Sequence, residues 1–224
     1  MDVPLDLHIY INFNGKIWRD YLDGMPKNVK ASFLNSVDRV LNRHDPTCIQ
    51  KFRLVARWMS ISISRIHSWT STATSHKVLE LDLALPAETL FMFPNSLLSA
   101  ESLNILKLLT YSKLVVPSFI RLPNLKTLHF AVEFSEDHTG QKLFSGCPVL
   151  QELGLIDCYW KHTERDTISI PYVRQLYIYE NGYPDDYPYT DRRETLHDCE
   201  VFIYAENLEY FDCSSYLTVD SIFV

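Results

Sequence analysis

The chain has 224 residues, 46% of them hydrophobic, and a formal net charge of −7. A chain of this length and composition can bury a sizeable core and form one or two domains. The acidic balance, without a basic strip in the sequence, disfavours nucleic acid as a partner, because such partners usually need a basic face. No apolar run approaches the roughly 20 residues of a membrane span, so no membrane partner is predicted.

The N-terminal segment, residues 1–47, predicts a strand and a helix that cap the rest of the chain. Leu5–Phe13 alternates apolar and polar residues, which indicates a half-buried strand. Within Lys30–His44 the apolar residues recur at helical spacing and share one face, which consists of Phe33, Val37, Val40 and Leu41. Pro46 ends this helix, because the residue before a proline avoids helical geometry.

A repeat frame begins after this cap and is clearest at Leu150–Cys158. That stretch reads L-x-x-L-x-L-x-x-C, the core of a leucine-rich repeat. Leucine or an apolar substitute recurs at the three leucine offsets seven times, in Ile49-Phe52-Leu54, Val78-Leu81-Leu83, Leu103-Leu106-Leu108, Leu125-Leu128-Phe130, Leu150-Leu153-Leu155, Val173-Leu176-Ile178 and Leu208-Phe211-Cys213. Five of the six spacings between copies lie in the roughly 20–29-residue range of such repeats. The sixth contains a polar, Tyr/Pro-rich insertion at 180–199.

The frame predicts one short parallel strand per repeat. Alternate residues of a strand face opposite sides, so the second and third apolar residues enter one core, which stacked repeats bury for each other. The ninth position favours Asn or Cys, but only Cys158 and Asn181 follow this rule, which indicates an irregular solenoid. The predicted fold class is therefore α/β, a leucine-rich-repeat solenoid with a parallel concave sheet and irregular convex helices and turns. It forms one continuous domain, with about seven repeats over residues 48–224.

Shorter elements are predicted between the repeat strands. In chain order they are a helix over Ser64–Ser75 with Ile66, Trp69 and Ala73 inward, turns over Pro86–Ser99, a short helix over Gly140–Ser145, a lead-in at Ile168–Pro171, and a resumed repeat over Val201–Cys213. Pro94 breaks an apolar run into turns, and Gly146 with Pro148 just beyond it stops the short helix.

The sequence has no pattern of residues typical of catalysis or of cofactor binding. The eight histidines are scattered, without H-x-x-x-H or H-E-x-x-H spacing, so no metal site is predicted and Glu136-Asp137-His138 is interpreted as a solvated loop. There is no G-x-S-x-G and no glycine-rich phosphate loop, and Cys147 and Cys158 are interpreted as packing residues. We therefore predict that the chain is not an enzyme and has no catalytic residues, no bound metal and no cofactor.

Five cysteines without a C-x-x-C pair, and the absence of any N-x-[ST] motif, predict free thiols in a reducing setting. The first ten residues are acidic and alternating, without the regions of a signal peptide. The predicted location is therefore cytoplasmic and/or nuclear.

Residues that flank the inward leucines are predicted to face outward on the concave sheet. The row begins basic, with Lys51 and Arg53, and ends acidic and rich in tyrosine. Tyrosine is enriched at protein interfaces because it offers a large, stiff contact area with a polar tip. A protein-binding patch is therefore predicted from Glu152, Tyr177, Tyr179, Tyr210 and Asp212, with Tyr183, Tyr187 and Tyr189 of the insertion above them. The alternative is that the insertion is a drifting surface loop and the tyrosines simply cover the sheet.

Several short segments of the sequence resemble plant F-box proteins with leucine-rich repeats. Many members of that family end in a module called FBD. The clearest of these segments are Leu122–Phe130, Leu143–Leu153 and Ala205–Phe211; Phe33–Leu41, Cys48–Leu54 and Ser64–Trp69 add to them. The resemblance covers essentially the whole chain. It implies an intracellular, non-catalytic scaffold that recognises a protein substrate, of unknown identity, for a cullin-based (SCF) ubiquitin ligase.

The resemblance does not carry over adaptor binding. In the family an F-box of roughly 40–50 residues holds the Skp adaptor and precedes a segment like Leu5–Asn14, so Met1 is expected to lie after it. The chain also stops at Val224, before an FBD-like segment. Skp is therefore not predicted as a partner. Three alternatives stay open: an F-box-less decoy or binding module, a truncated non-functional gene product, and, more remotely, an enzyme.

Overall fold

The computed structural model describes residues 5–10, 27–43, 49–56, 61–86, 90–134, 139–160, 165–179, 200–214 and 222–223. The strands in these ranges are β1 (Leu5–Tyr10), β2 (Ile49–Val55), β3 (Glu80–Ala84), β4 (Leu90–Met92), β5 (Ile105–Val115), β6 (Thr127–Phe134), β7 (Glu152–Ile156), β8 (Tyr159–Trp160), β9 (Arg165–Ser169), β10 (Gln175–Tyr179), β11 (Glu200–Tyr204), β12 (Tyr210–Ser214) and β13 (Ile222–Phe223). The helices are α1 (Lys27–Arg43), α2 (Ile63–Ser75) and α3 (Thr139–Ser145).

Ten of the strands form one parallel sheet, whose main path runs β1-β2-β3-β5-β6-β7-β10-β12. The short strands β4 and β8 add to it by pairing with β5 and β6. Neighbours along the path run parallel and follow chain order, so every connection returns the chain to the same end of the sheet. This is the geometry of a repeat solenoid, and it confirms the predicted α/β leucine-rich-repeat fold.

The strands pair in the register that the repeat frame predicts. The second frame position pairs from strand to strand through Phe52, Leu81, Leu106, Leu128, Leu153, Leu176 and Phe211. The first six of these side chains are fully buried, whereas Phe211 on β12 is 38% exposed. β12 is the last strand of the path, and no further strand covers it within the described ranges.

A β-turn precedes five of the repeat strands. In each turn the N–H of the first frame residue donates to the carbonyl oxygen three residues earlier, in the pairs Leu103–Ala100, Leu125–Leu122, Leu150–Cys147, Val173–Ile170 and Leu208–Ala205. Proline fills the second position of three of these turns, as Pro123, Pro148 and Pro171. Its fixed φ suits that position, so each proline directs the chain back to the sheet.

A series of backbone hydrogen bonds between consecutive repeats then joins these repeats to one another. Just ahead of the strands, the N–H of Lys126 donates to Asn104, that of Gln151 to Lys126 and that of Arg174 to Gln151, each at 2.8 Å. The N–H of Glu209 donates to Arg174 in the same way. The repeats are therefore aligned before their strands begin, whatever the length of the connection between them.

The two longer helices cover the core at the N-terminal end. α1 buries Leu34, Val37 and Leu41, while the predicted Phe33 and Val40 are only half-buried. α2 buries the predicted Ile66, Trp69 and Ala73, and also Thr70. The Trp69 indole N–H donates to the Asp38 carboxylate at 2.6 Å and so ties the two helices together. The short predicted helix is α3.

The structure departs from the prediction in two places between the repeat strands. Within the predicted turns 86–99, residues 90–92 form β4, which pairs with an extension of β5 beyond the frame. The lead-in at 168–171 overlaps β9, and the resumed repeat at 201–213 overlaps β11; these two strands form a second parallel sheet with β13. Ile168 and Ile203 point from this second sheet into the same core as Leu176. The side of the core away from the main sheet is therefore partly a sheet, and not only helices and turns.

One hydrophobic core runs from Leu34 in α1 to Ala205 after β11. No described helix is long and apolar enough to cross a membrane. The predicted insertion 180–199, Asn181 at the ninth frame position and the loop 136–138 lie outside the described residues.

Candidate protein-binding site on the concave face

The outward residues of β6, β7, β10 and β12 form two cross-strand rows. One row is Thr127, Glu152, Gln175 and Tyr210, and the next is His129, Gly154, Tyr177 and Asp212. Tyr179 lies two residues beyond Tyr177 on β10 and pairs with Ser214. These positions alternate with the buried leucines, which is why they face away from the core.

Tyr177 lies at the centre of a group of three aromatic rings. Its ring centroid is 5.6 Å from that of Tyr210 and 6.1 Å from that of Tyr179. Both distances are in the range of favourable aromatic pairs. Tyr210 is 50% exposed and Tyr177 and Tyr179 are half-buried. The three rings therefore form a stiff surface that remains accessible to a partner.

Gly154 extends this aromatic surface by leaving space for a neighbouring ring. A Cβ atom at Gly154 would lie 2.7 Å from Cδ2 of His129, so the imidazole leans over β7 where a side chain would otherwise stand. The His129 ring is then 6.3 Å from the Tyr177 ring, edge to face at 65°. Nε2 of His129 lies 2.7 Å from Oε1 of Glu152, which holds the imidazole in place. The aromatic row therefore runs from β6 to β12.

His129 is not part of the predicted patch, although it flanks the inward Leu128 and so belongs to the residues predicted to face outward. The available signal was Gly154, because a glycine inside a strand often marks a close approach by another group. Using that signal requires knowing that the two residues share a row, which depends on the register between two repeats.

The tyrosine hydroxyls bind polar neighbours. Tyr179 donates a 2.8 Å hydrogen bond to Oδ2 of Asp212, which together with burial raises the pKa of Tyr179 to about 12. Tyr177 donates to Oε1 of Gln175 at 3.1 Å. Burial, and then the nearby charges of Glu152 and Asp212, raise the pKa of Tyr177 above its usual value. Both phenols therefore stay protonated, as hydrogen-bond donors, near neutral pH.

Charge is distributed unevenly along the concave face. Towards β2, Lys51 pairs with Glu80 at 2.6 Å and Arg53 with Asp82 at 2.9 Å, so the basic start of the row is largely neutralised. At the tyrosine end, neither Glu152 nor Asp212 forms an ion pair with a lysine or arginine of the described ranges. Within the described ranges, the carboxylates beside the tyrosines are therefore not neutralised by a lysine or an arginine, and Glu152 contacts only the imidazole of His129 and the hydroxyl of Thr127.

We call Glu152, Tyr177, Tyr179, Tyr210 and Asp212 the tyrosine patch. The fold brings all five of these predicted residues together on adjacent strands. The predicted Tyr183, Tyr187 and Tyr189 lie outside the described residues, so their position relative to the patch stays a prediction.

The buried cysteines of the described ranges are packing residues, and no metal site is found among the described residues. Burial raises the pKa of Cys147 to about 12, and its thiol donates to the Leu143 carbonyl at 3.5 Å, so it is a packing residue. Cys158 is buried at the ninth frame position, and its thiol contacts the Phe130 carbonyl of the preceding repeat. No group of three or more His, Cys, Asp or Glu side chains suited to a metal ion occurs in the part of the chain that the structure describes.

Comparison with known proteins identifies the family. Residues 40–178, more than half of the chain, match the leucine-rich-repeat domain family of At1g61320/AtMIF1. The chain is 31% identical to the F-box/LRR-repeat protein At4g14096 of Arabidopsis thaliana, over 84% of this chain and 38% of that protein. It is 34% identical to F-box/LRR-repeat protein At4g14103, over 78% and 44% of the two chains.

A relative of the FBD type also matches. The chain is 31% identical to the F-box/FBD/LRR-repeat protein At3g52680 of Arabidopsis thaliana, over 80% of this chain and 42% of that protein. The chain thus spans less than half the length of these relatives. No solved structure matches it. The repeat register, the family match and these relatives agree that the chain belongs to the leucine-rich-repeat family of plant F-box/LRR proteins.

Proposed function

We propose that this chain binds a protein substrate on its concave face and is the substrate-recognition part of an F-box-type (SCF) ubiquitin ligase receptor. The observation that supports this best is the tyrosine patch, three accessible aromatic rings aligned on a rigid parallel sheet. Rigid aromatic residues of this kind dominate protein interfaces. The relatives' names, which combine F-box and LRR-repeat, support the ligase part of the proposal.

The proposed role is that of a scaffold and not of an enzyme. The patch presents carboxylates and protonated phenols, and the raised pKa of Tyr179 makes that phenol a poor nucleophile. The proposal also places the protein in the cytoplasm and/or the nucleus, where its cysteines stay reduced.

Site-specific photocrosslinking tests substrate binding. A photoreactive p-benzoylphenylalanine is introduced in place of Tyr210, or in place of Phe119 as a control, and each protein is irradiated in plant cell extract. Phe119 is 63% exposed but lies in the connection between β5 and β6, away from the concave face. We expect discrete adducts from position 210 only. Equal adducts from both positions, or none from position 210, would contradict concave-face binding.

Substitution of the insertion tyrosines is a separate arm of this experiment. Tyr183, Tyr187 and Tyr189 are replaced together by serine in the protein that carries the crosslinker at position 210. If the insertion belongs to the binding surface, the adducts should weaken. Unchanged adducts would support the alternative that the insertion is only a surface loop.

A pulldown against the Skp adaptor tests the division of labour within the receptor. We expect this chain not to retain Skp, while a full-length F-box relative does so as the positive control. Retention of Skp by this chain would mean that the repeats carry adaptor contacts, and the proposed division would be wrong.

A fusion separates a ligase receptor from a decoy or non-functional chain. The F-box of the full-length relative is joined ahead of this chain, and ubiquitination of a partner crosslinked at position 210 is followed in a reconstituted ligase. A receptor domain should direct ubiquitin to that partner. Binding without ubiquitination would favour a decoy or binding module.

A further inference from the structure

We infer that the partner presents an arginine-rich, basic segment to the tyrosine patch, with a guanidinium group stacked on Tyr177 and Tyr210 and paired with the carboxylate of Asp212. This inference rests on the proposed function, since it assigns the chemistry of the partner that the concave face binds. Charge, ring geometry and the arrangement of the acceptors support it separately.

The described lysines and arginines of the concave face are paired or lie away from the tyrosine patch. The cations Lys51 and Arg53 at the other end of the face are already held by Glu80 and Asp82. Arg174, which directly precedes β10, is paired with Glu209 at 3.6 Å. Lys107, an outward lysine on β5, is two strands away from Gly154 in register. Two strand spacings are roughly 10 Å, beyond the screening length of about 8 Å at physiological ionic strength. A partner at the patch therefore meets a local negative potential.

The carboxylates of Asp212 and Glu152 differ in how many hydrogen-bond acceptor sites remain open. In the described structure Asp212 receives one hydrogen bond, from Tyr179 to Oδ2. A carboxylate has about four acceptor sites, so Oδ1 and part of Oδ2 are left for a partner. Glu152 is contacted by His129 and by the Thr127 hydroxyl at 3.4 Å, and so is more fully occupied. Asp212 is therefore the carboxylate better placed to bind a cation.

Two tyrosine rings lie beside the carboxylate of Asp212. Tyr177 pairs with Asp212 in register on the neighbouring strand β10, and Tyr210 lies two residues before Asp212 on β12. Their ring centroids are 5.6 Å apart. A cation within about 6 Å of a tyrosine ring is attracted by its electron-rich face. Arginine suits this arrangement better than lysine, because its flat guanidinium can stack on a ring and bind a carboxylate through two N–H groups at once.

The same features disfavour an acidic or phosphorylated partner. Such a group would meet Glu152 and Asp212 without a lysine or arginine of the described face beside them. A neutral apolar partner would leave the open oxygen of Asp212 buried without a hydrogen bond, which is unfavourable. Of these classes, only a basic segment uses both the rings and the carboxylate.

Fluorescence anisotropy with three labelled peptides tests the inference. The probes are a twelve-residue Gly-Arg-Ser repeat, the same peptide with every arginine replaced by glutamine, and one with every arginine replaced by lysine. We expect the arginine peptide to bind most tightly, the lysine peptide several-fold more weakly, and the glutamine peptide not at all. Equal affinity of the glutamine and arginine peptides would overturn the inference.

Variants distinguish the patch from a general attraction to an acidic protein. Tyr210→Ala and Asp212→Asn should each weaken the arginine peptide about fivefold, the effect of losing one cation–π or charge contact of about 1 kcal/mol. Glu101→Gln removes one exposed charge from the turn before β5 and is the charge-matched control; Phe119→Ala is the aromatic control. Neither control should change affinity. Equal losses in Glu101→Gln and Asp212→Asn would show that only net charge matters and would refute the site.

The crosslinking experiment separates failure of this inference from failure of the proposed function. Peptides crosslinked at position 210 are identified by mass spectrometry. Adducts at segments rich in arginine support the inference. Adducts confined to acidic or neutral segments overturn it but leave the substrate-receptor proposal intact, whereas the absence of adducts at position 210 counts against that proposal itself.

Discussion

Gly154 shows that a residue without a side chain can shape a surface. Its missing Cβ lets His129 cross from β6 towards Tyr177, and the carboxylate of Glu152 holds the imidazole there. The inward leucines can be identified from one repeat alone, since the frame specifies which side chains enter the core. The contact between His129 and Tyr177 depends on three repeats at once, so the pattern of a single repeat could not predict it.

Two glycine substitutions test this interpretation. In Gly154→Ala the new Cβ meets an imidazole that can rotate, so we expect a loss of about 1 kcal/mol or less in unfolding free energy, with a displaced His129 ring. In Gly146→Ala the new Cβ would lie 2.6 Å from the backbone carbonyl oxygen of Ile120, which cannot rotate away. That variant should lose roughly 1–3 kcal/mol. Urea denaturation and the NMR signals of the His129 ring measure both effects; equal stability losses would be inconsistent with this account.

Tyr179 should confer a pH dependence in the alkaline range. Its hydrogen bond to Asp212 raises the pKa of Tyr179 from 10.0 to about 12, so the folded chain holds the phenolic proton more tightly than the unfolded chain does. The contribution to stability is therefore complete below pH 10 and is lost as the pH rises towards 12. Near-ultraviolet titration should show tyrosine ionisation at lower pH in Asp212→Asn than in the parent chain, because Asp212 raises the pKa of both Tyr179 and Tyr177. An unchanged titration curve would mean that Asp212 does not hold the proton.

The buried frame positions should differ from the exposed one at the end of the sheet. Leu153→Ala should lose roughly 2–5 kcal/mol, the range for truncating a buried leucine. Phe211→Ala changes the same frame position on β12, but Phe211 is 38% exposed, so its loss should be smaller although the side chain is larger. Thermal and chemical denaturation of both variants measure this order. An unaltered melting temperature in Leu153→Ala would be evidence against the repeat register.

At the scale of elements, the three clearest segments of the family resemblance each contain the turn that precedes a repeat strand. In Leu122-Pro-Asn-Leu125 and Cys147-Pro-Val-Leu150, the N–H of the last residue bonds to the carbonyl of the first. These turn sequences recur because the chain must reverse direction at the same point of each repeat, just before the strand. The resemblance thus has a physical basis in backbone geometry as well as in the leucines.

Replacing each of the turn prolines should weaken the chain by a small amount. Pro123→Ala and Pro148→Ala should each lower the unfolding free energy by about 0.4–1 kcal/mol, because alanine leaves the unfolded chain more freedom at a position whose φ proline already fits. The two turns belong to successive repeats, and the Leu122 N–H donates to the Gly146 carbonyl between them, so the loss in the double variant should differ from the sum of the single losses. Chemical denaturation of the singles and the double tests this, and a stabilised single variant would contradict it.

The second sheet could not be predicted from the local sequence patterns of its strands. β9 contributes Ile168 and β11 contributes Ile203 to the core, each from a strand of five residues. Alternation that short also fits a lead-in to the next repeat strand. The pairing between β9 and β11 spans the 180–199 insertion, and no local pattern reveals a partner so far along the chain.

At the scale of the whole molecule, the two faces of the main sheet obey different rules. The core face repeats one frame from β2 to β10, so composition and spacing were enough to predict the sheet, its direction and its inward residues. The concave face changes from lysine and arginine paired with carboxylates at β2 and β3 to tyrosine rings at β10 and β12, where Asp212 has no lysine or arginine partner among the described residues. Its alignment of tyrosines could be predicted from alternation, but its contacts could not, since they depend on how side chains from separate repeats meet.

The imidazole that leans across β7 has a consequence for how such chains diversify. His129 belongs to one repeat, the space that it occupies belongs to the next, and the ring that it meets belongs to a third. Genetic exchange that swaps a single repeat between related genes would preserve the leucine frame and the fold. It would nevertheless separate the imidazole from the gap that admits it. The heritable unit of the proposed binding surface is therefore a block of at least three consecutive repeats, larger than the unit of folding.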